Sequence, residues 1–180
     1  MMERSSFLSN LEGHLLHALG NHAEAAEAYR RAFACNPDQG LFALHQANEL
    51  YDCGKKAEAI TVYVQAARLF LQHESYEDLS ELLTVLERIA PDDLRTVSLA
   101  GKYAYATGRY DTALQHLKTV CKKGSEDSAD WYLYGLLLKS DRPKEAIKAF
   151  KKACALESGC GLYQFRLAEM LYLTGGRYKP

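Results

Sequence analysis

The chain has 180 residues, 48% of them apolar and 25% charged, with a formal net charge of −1 at pH 7. That is the balance of an ordinary folded protein, not a disordered one. No run of about 18 uncharged apolar residues exists to form a membrane span, and the near-neutral charge argues against nucleic acid as a partner.

The opening "MMERSSFLSN" lacks an apolar stretch and does not read as a secretory signal. Five cysteines, at 35, 53, 121, 154 and 160, form no CxxC pair and read as reduced thiols in a cytoplasmic protein. Charge is unevenly spread. Residues 1–91 hold 7 Lys/Arg against 13 Asp/Glu, and residues 92–180 hold 15 against 10. Much of the positive share lies in "KTVCKK" (118–123) and "RPKEAIKAFKK" (142–152). The simplest reading is a solvated outer helix face, and an acidic or phosphate-bearing partner is the alternative.

Glycine and proline punctuate the chain, and apolar residues recur between them at helical spacing. The segments run about 12–17 residues, lengths at which an isolated helix is marginal in water. "GNHAEAAEAYRRAFACNP" (20–37) and "GKKAEAITVYVQAARLFL" (54–71) superpose with an offset of 34. Gly20 falls on Gly54, Ala25 on Ala59, Tyr29 on Tyr63 and Ala32 on Ala66. Next, "YEDLSELLTVLERIAP" (76–91) reads as a helix through Leu79, Leu83 and Leu86, stopped at Pro91. Its partner would be the segment 57–73, which also serves the preceding hairpin. One long helix shared by two units is therefore expected, with an odd helix count around it. That oddness is expected to offset an N-terminal and a C-terminal block near residues 57–91.

The pattern resumes in "SLAGKYAYATGRYDTALQHLKTV" (98–120), through Gly101, Gly108 and Ala113. It continues in "DWYLYGLLLKSDRPKEAIKAFKKACAL" (130–156), through Trp131, Gly135, Ala146, Phe150 and Ala153. It begins once more in "LYQFRLAEMLYLTGGRY" (162–178). Gly20, Gly54 and Gly108 are expected to end first helices with positive φ. Gly13, Ala47, Gly101 and Gly135 are the small residues that let paired helices approach, opposite Ala25, Ala59, Ala113 and Ala146.

These residues resemble the tetratricopeptide repeat (TPR), a helix–turn–helix unit of 34 residues. The resemblance covers nearly the whole chain. It implies an all-α, right-handed helical solenoid of about four and a half units, with one extra helix near 75–90. The unit bounds are approximately 6–39, 40–73, the extra helix 74–91, 93–126, 128–159 and a half unit 161–180 in one solenoid, 1–180.

Catalytic motifs are missing from the sequence. No glycine-rich phosphate loop follows a strand, no HExxH or GxSxG occurs, and no cysteine is paired with a histidine as a nucleophile would be. Neither catalytic residues nor a cofactor is expected. His14 and His17 lie about one turn apart with His22 just past the turn, a spacing compatible with a metal. No third ligand of matching spacing accompanies them, and no metal is expected. Cys154 and Cys160 read as structural or surface thiols.

The resemblance implies a groove lined by successive first helices that holds a peptide or a partner's helix. Its expected lining is Asn10, His14 and His17, then Leu44, Asn48 and Tyr51, then Ser98 and Lys102, then Tyr132 and Leu136. Chaperone adaptors of the family grip a terminal carboxylate with lysines and asparagines. Asn48 suits such a clamp, but Leu44 and Asn10 stand where lysine is needed, and Lys102 alone does not replace it. The final first helix is expected to present Tyr163, Leu167, Met170 and Leu171 uncovered. Self-association through that face is one explanation, and a longer parent protein is another. The function expected is a scaffold or adaptor binding a protein or peptide, with neither nucleic acid nor membrane as a partner. A regulatory portion of a larger enzyme or sensor, or a chaperone for secreted substrates, is the alternative.

Overall fold

The computed structural model describes the backbone of residues 2–175 and the side chains of residues 5–175. The end of the half unit, residues 176–180, lies outside the described residues. The described residues form ten helices and no strand. They fall into two compact units, residues 1–92 and 93–180.

The first unit contains α1 (Met2–Ala18), α2 (His22–Cys35), α3 (Gly40–Asp52), α4 (Lys56–Gln72) and α5 (Tyr76–Ile89). Each helix packs against the next in sequence. The expected long shared helix is present: α4 runs 17 residues and packs on both α3 and α5. The expected extra helix is α5, which buries Leu79, Leu82, Leu83 and Leu86.

The second unit contains α6 (Leu94–Ala106), α7 (Tyr110–Lys122), α8 (Ser128–Leu138), α9 (Pro143–Leu156) and α10 (Gly161–Gly175). Here too consecutive helices pack, and α6 also touches α8. Asp93 caps α6 by accepting the Arg95 amide, and Asp127 caps α8 by accepting the Ala129 amide. Pro143 opens α9, where a missing amide hydrogen costs nothing.

Several of the turns between successive helices share one device. At Gly20 (φ 75°) the Asn21 amide reaches back to the Leu16 carbonyl at 2.9 Å. The same left-handed closure occurs at Gly54 and Gly108, with φ 79° and 76°. The α4–α5 turn repeats it at Glu74, φ 57°, with the Ser75 amide bonded to the Phe70 carbonyl at 2.8 Å. Glu74 precedes Gly108 by 34 residues and follows Gly54 by 20. The inserted helix thus has its own turn in the regular register, hidden in the sequence because glutamate occupies the left-handed position.

Within hairpins, a small residue meets a ring. A Cβ on Gly13 would lie 2.6 Å from the Tyr29 ring, and one on Gly135 would lie 2.7 Å from Phe150. Ala25, Ala59, Ala113 and Ala146 are fully buried at the facing positions. The glycines permit helix contact closer than any side chain allows, so the aromatic rings are enclosed.

Candidate functional site

The first unit carries a pocket of about 350 Å³ lined by His14, His17, Tyr29, His45, Asn48, Glu49, Asp52 and Tyr63. The first helices of successive hairpins, α1 and α3, supply most of this lining. Tyr29 of α2 and Tyr63 of α4 form its aromatic back. Helical spacing explains the convergence: His14 and His17 lie one turn apart on α1, while His45, Asn48, Glu49 and Asp52 share a stripe of α3.

The polar groups are bound to one another. The Tyr63 hydroxyl donates to Asn48 Oδ1 at 2.7 Å, and the Tyr29 hydroxyl meets His14 Nδ1 at 3.0 Å. The His14, Tyr29 and His45 rings lie 5.0–5.4 Å apart in tilted or edge-on contacts. Burial, and secondarily His14, lowers the pKa of His45, which favours its neutral form. Burial raises the Tyr63 hydroxyl to about 12. His45 Nδ1 is buried with no hydrogen-bond partner among the described residues, and so is Asn10 Oδ1.

At the pocket's edge, Glu49 is only 3% exposed. Its two oxygens take one imidazole each, His17 Nδ1 on Oε1 and His22 Nδ1 on Oε2, both at 2.8 Å. The hydrogen bond to Glu49 raises the pKa of His22. In the sequence His14 and His17 lie one turn apart with His22 just past the turn, and no further ligand stands at matching spacing. The fold instead joins His17 and His22 to a carboxylate 27 residues beyond His22. Nothing in the sequence marks Glu49 for this role, because its burial is set by packing between helices.

Of the other groove candidates in this unit, Leu44 and Tyr51 are half-buried, and Lys56 Nζ lies 5.7 Å from the centre of the Tyr51 ring. In the second unit the candidates are engaged internally. Ser98 is buried and donates to Asp130 Oδ1 at 2.7 Å. Lys102 Nζ pairs with Asp127 at 2.6 Å and Asp130 at 3.2 Å. Tyr132 packs against Phe150 and Tyr163, and Leu136 lies against the cluster of Leu138, Phe150 and Met170. The expectation that Ser98 points into an open groove is therefore corrected, because Asp130 at the start of α8 draws it inward.

A second correction concerns α10. Tyr163 and Met170 are buried and Leu167 is half-buried, while Leu171 is exposed. The inward face of α10 closes on α9 and α8, using three of the four residues expected to be uncovered. The apolar side chains that do reach solvent are Leu162, Phe165, Leu171, Tyr172 and Leu173. Among the described residues, no helix is long and apolar enough to cross a membrane.

A stack of helical hairpins with glycine-closed turns, small-residue contacts and a polar pocket on its first helices defines an all-α helical-repeat protein of the solenoid class. The tetratricopeptide repeat family model matches residues 10–70 and 98–159, and the chain belongs to that family, which is generally a non-enzymatic interaction module. A TPR repeat-containing protein of Treponema pallidum (strain Nichols) is 48% identical over 185 residues, covering 96% of this chain. The chain spans 23% of the length of that curated relative. Solved structures share the fold. That of Pseudomonas aeruginosa pilF has a TM-score of 0.53 at 18% identity, covering 97% of this chain and 71% of that one. The Cut9–Hcn1 hetero-tetramer of the APC/C gives 0.52 at 19% identity, covering 94% and 37% respectively. YrrB, described as a TPR protein with an unusual peptide-binding site, gives 0.50 at 13% identity, covering 88% and 89%.

Proposed function

We propose that the chain is a non-catalytic binding unit that takes up an extended segment of a partner protein in the pocket between α1 and α3. One observation carries this reading: the pocket couples an aromatic back wall with the unpartnered, buried His45 Nδ1. Such a wall accepts an apolar side chain, while a backbone group of the segment would satisfy the imidazole. His14, His17, Asn48 and Tyr51 are the groove residues that serve this segment in the first unit. Several modest contacts, offset by the ordering of a flexible segment, give weak binding for a short peptide.

Selection from a displayed random-peptide library on the immobilised protein, followed by fluorescence anisotropy on the enriched peptide, tests the reading. Asn48→Ala and His45→Ala should each weaken that peptide by roughly tenfold, about 1.4 kcal/mol. The exposed Lys148→Ala should change nothing. Enriched peptides that bind the pocket variants at full strength would place the site elsewhere.

A second reading, association of two copies through α10, is supported by Phe165 and Tyr172, which are 60% and 83% exposed. Apolar side chains clustered on one surface favour association. Sedimentation equilibrium of the wild type and of Phe165→Asp tests it. A wild-type mass that stays monomeric at the highest concentration would remove this reading.

A further inference from the structure

We propose that His17, His22 and Glu49 form a binding site for a first-row divalent metal ion of the zinc type, coordinated through His17 Nδ1, His22 Nδ1 and the Glu49 carboxylate. The donors come from the last turn of α1, the first residue of α2 and the last turn of α3. One ligand atom from each of the three residues lies within 4.8 Å of the others. The turn at Gly20 folds His22 back beside His17, with ring centroids 5.9 Å apart. The buried carboxylate then meets both rings from below.

Chemistry selects the ion class. Two imidazoles and one carboxylate are the donors that zinc takes at open three-ligand sites, and they suit it better than magnesium or calcium. Tetrahedral zinc with bonds of about 2.0–2.1 Å places its donors roughly 3.3 Å apart. The two nitrogen–oxygen distances are now 2.8 Å, so each imidazole must back away by about half an ångström. Both can do so, because the His17 and His22 side chains are 55% and 36% exposed. Each imidazole then holds its proton on Nε2, and the ion occupies the place where protons now bridge to the carboxylate.

Charge points the same way. Glu49 is nearly sealed from water, and its ion-pair partners among the described residues are the two histidines, not a lysine or arginine. A cation held between the two rings and the carboxylate would compensate that buried charge. Because His17 and Glu49 also line the pocket, its solvent is the nearest source of a fourth ligand. His17 is shared with the proposed peptide groove, but titration with metal alone needs no peptide, so failure of either reading is distinguishable.

The test titrates the intact chain, after chelator treatment, with Zn2+ by calorimetry and with Co2+ by visible absorption. The expected result is one equivalent bound, with cobalt d–d bands of low-coordinate nitrogen and oxygen ligation and no sulfur-to-cobalt charge transfer. His17→Ala and His22→Ala remove exposed side chains, and unchanged circular dichroism will show that both variants fold. Each should weaken Zn2+ by at least ~100-fold, since losing even an outer partner of a zinc ligand costs up to that. Glu49→Gln should weaken it comparably, whereas His73→Ala should leave it unaltered. Binding that survives the double His17→Ala, His22→Ala variant would overturn the proposal. So would a thiolate charge-transfer band, or no heat of binding at all.

Discussion

Gly13 and Tyr29 share one space: the ring occupies the volume that any side chain at position 13 would need, 2.6 Å from its Cβ. Gly135 and Phe150 repeat the relationship at 2.7 Å. Alanine in a helix interior is intrinsically favoured over glycine by about 1 kcal/mol. Forcing a methyl against an enclosed ring costs about 1–3 kcal/mol, so the clash should win. Gly13→Ala and Gly135→Ala should each lower stability by up to about 2 kcal/mol, read from urea unfolding midpoints. Gly101→Ala should cost less, since its nearest neighbours, His116 Cβ and Leu117 Cγ, would stand off at 3.1 Å.

The left-handed turns give a prediction of opposite sign. Glu74 adopts φ 57° where Gly20, Gly54 and Gly108 sit in the equivalent turns. A side chain there costs about 1–2 kcal/mol, and glycine gives back about 0.5–1 kcal/mol through the flexibility of the unfolded chain. Glu74→Gly should therefore raise stability by roughly 0.5 kcal/mol. Gly54→Ala should lower it, although nothing lies within 4 Å of its Cβ position. Thermal melts of both variants check the pair.

Asp130 is 1% exposed and takes the Ser98 hydroxyl at 2.7 Å and the Ser125 hydroxyl at 2.6 Å, with Lys102 Nζ at 3.2 Å. Lys102→Met leaves that carboxylate buried without its cation and should cost about 3 kcal/mol. Asp130→Asn keeps the shape but removes the charge, so adding it to Lys102→Met should restore part of the loss. A double-mutant cycle in guanidinium measures the coupling. Strict additivity would mean that Lys102 acts through packing alone.

Two buried groups titrate late. Tyr63 has its pKa raised from 10.0 to about 12 by burial. Folding holds that proton more tightly than the unfolded chain does, so the contribution is complete below pH 10. It is lost as pH climbs from 10 towards 12. Tyr63→Phe should flatten the alkaline decline in stability across that window, followed by circular dichroism at fixed urea.

Burial likewise pushes the Cys121 thiol up to about 12. Only the thiolate reacts with alkylating reagents, so Cys121 should resist iodoacetamide at pH 8. It should react once denaturant opens the fold. Peptide mapping of native and denatured samples by mass spectrometry gives the answer.

The hairpins were legible in the letters because their causes are local. A glycine at positive φ closes three of the hairpins, and a small residue faces a ring or a leucine 15–16 positions on within the same hairpin. Even the inserted helix could be read, since a leucine stripe and Pro91 bound it. Its turn could not, because a glutamate fills the left-handed position at Glu74 and carries no turn signature. The expected groove was legible only in outline. First-helix positions could be counted, but not whether a neighbouring helix would engage them, as Asp130 engages Ser98 and Lys102.

Periodicity and backbone freedom within a few dozen residues set the helical hairpins, their repeat and the glycine-closed turns, all of which the letters carry. Tertiary structure alone decided that Glu49 would be buried between His17 and His22, and that α10 would fold Tyr163 and Met170 inward. Those outcomes depend on which faces of non-adjacent stretches of chain meet. Packing between helices sets that choice, and no local pattern encodes it.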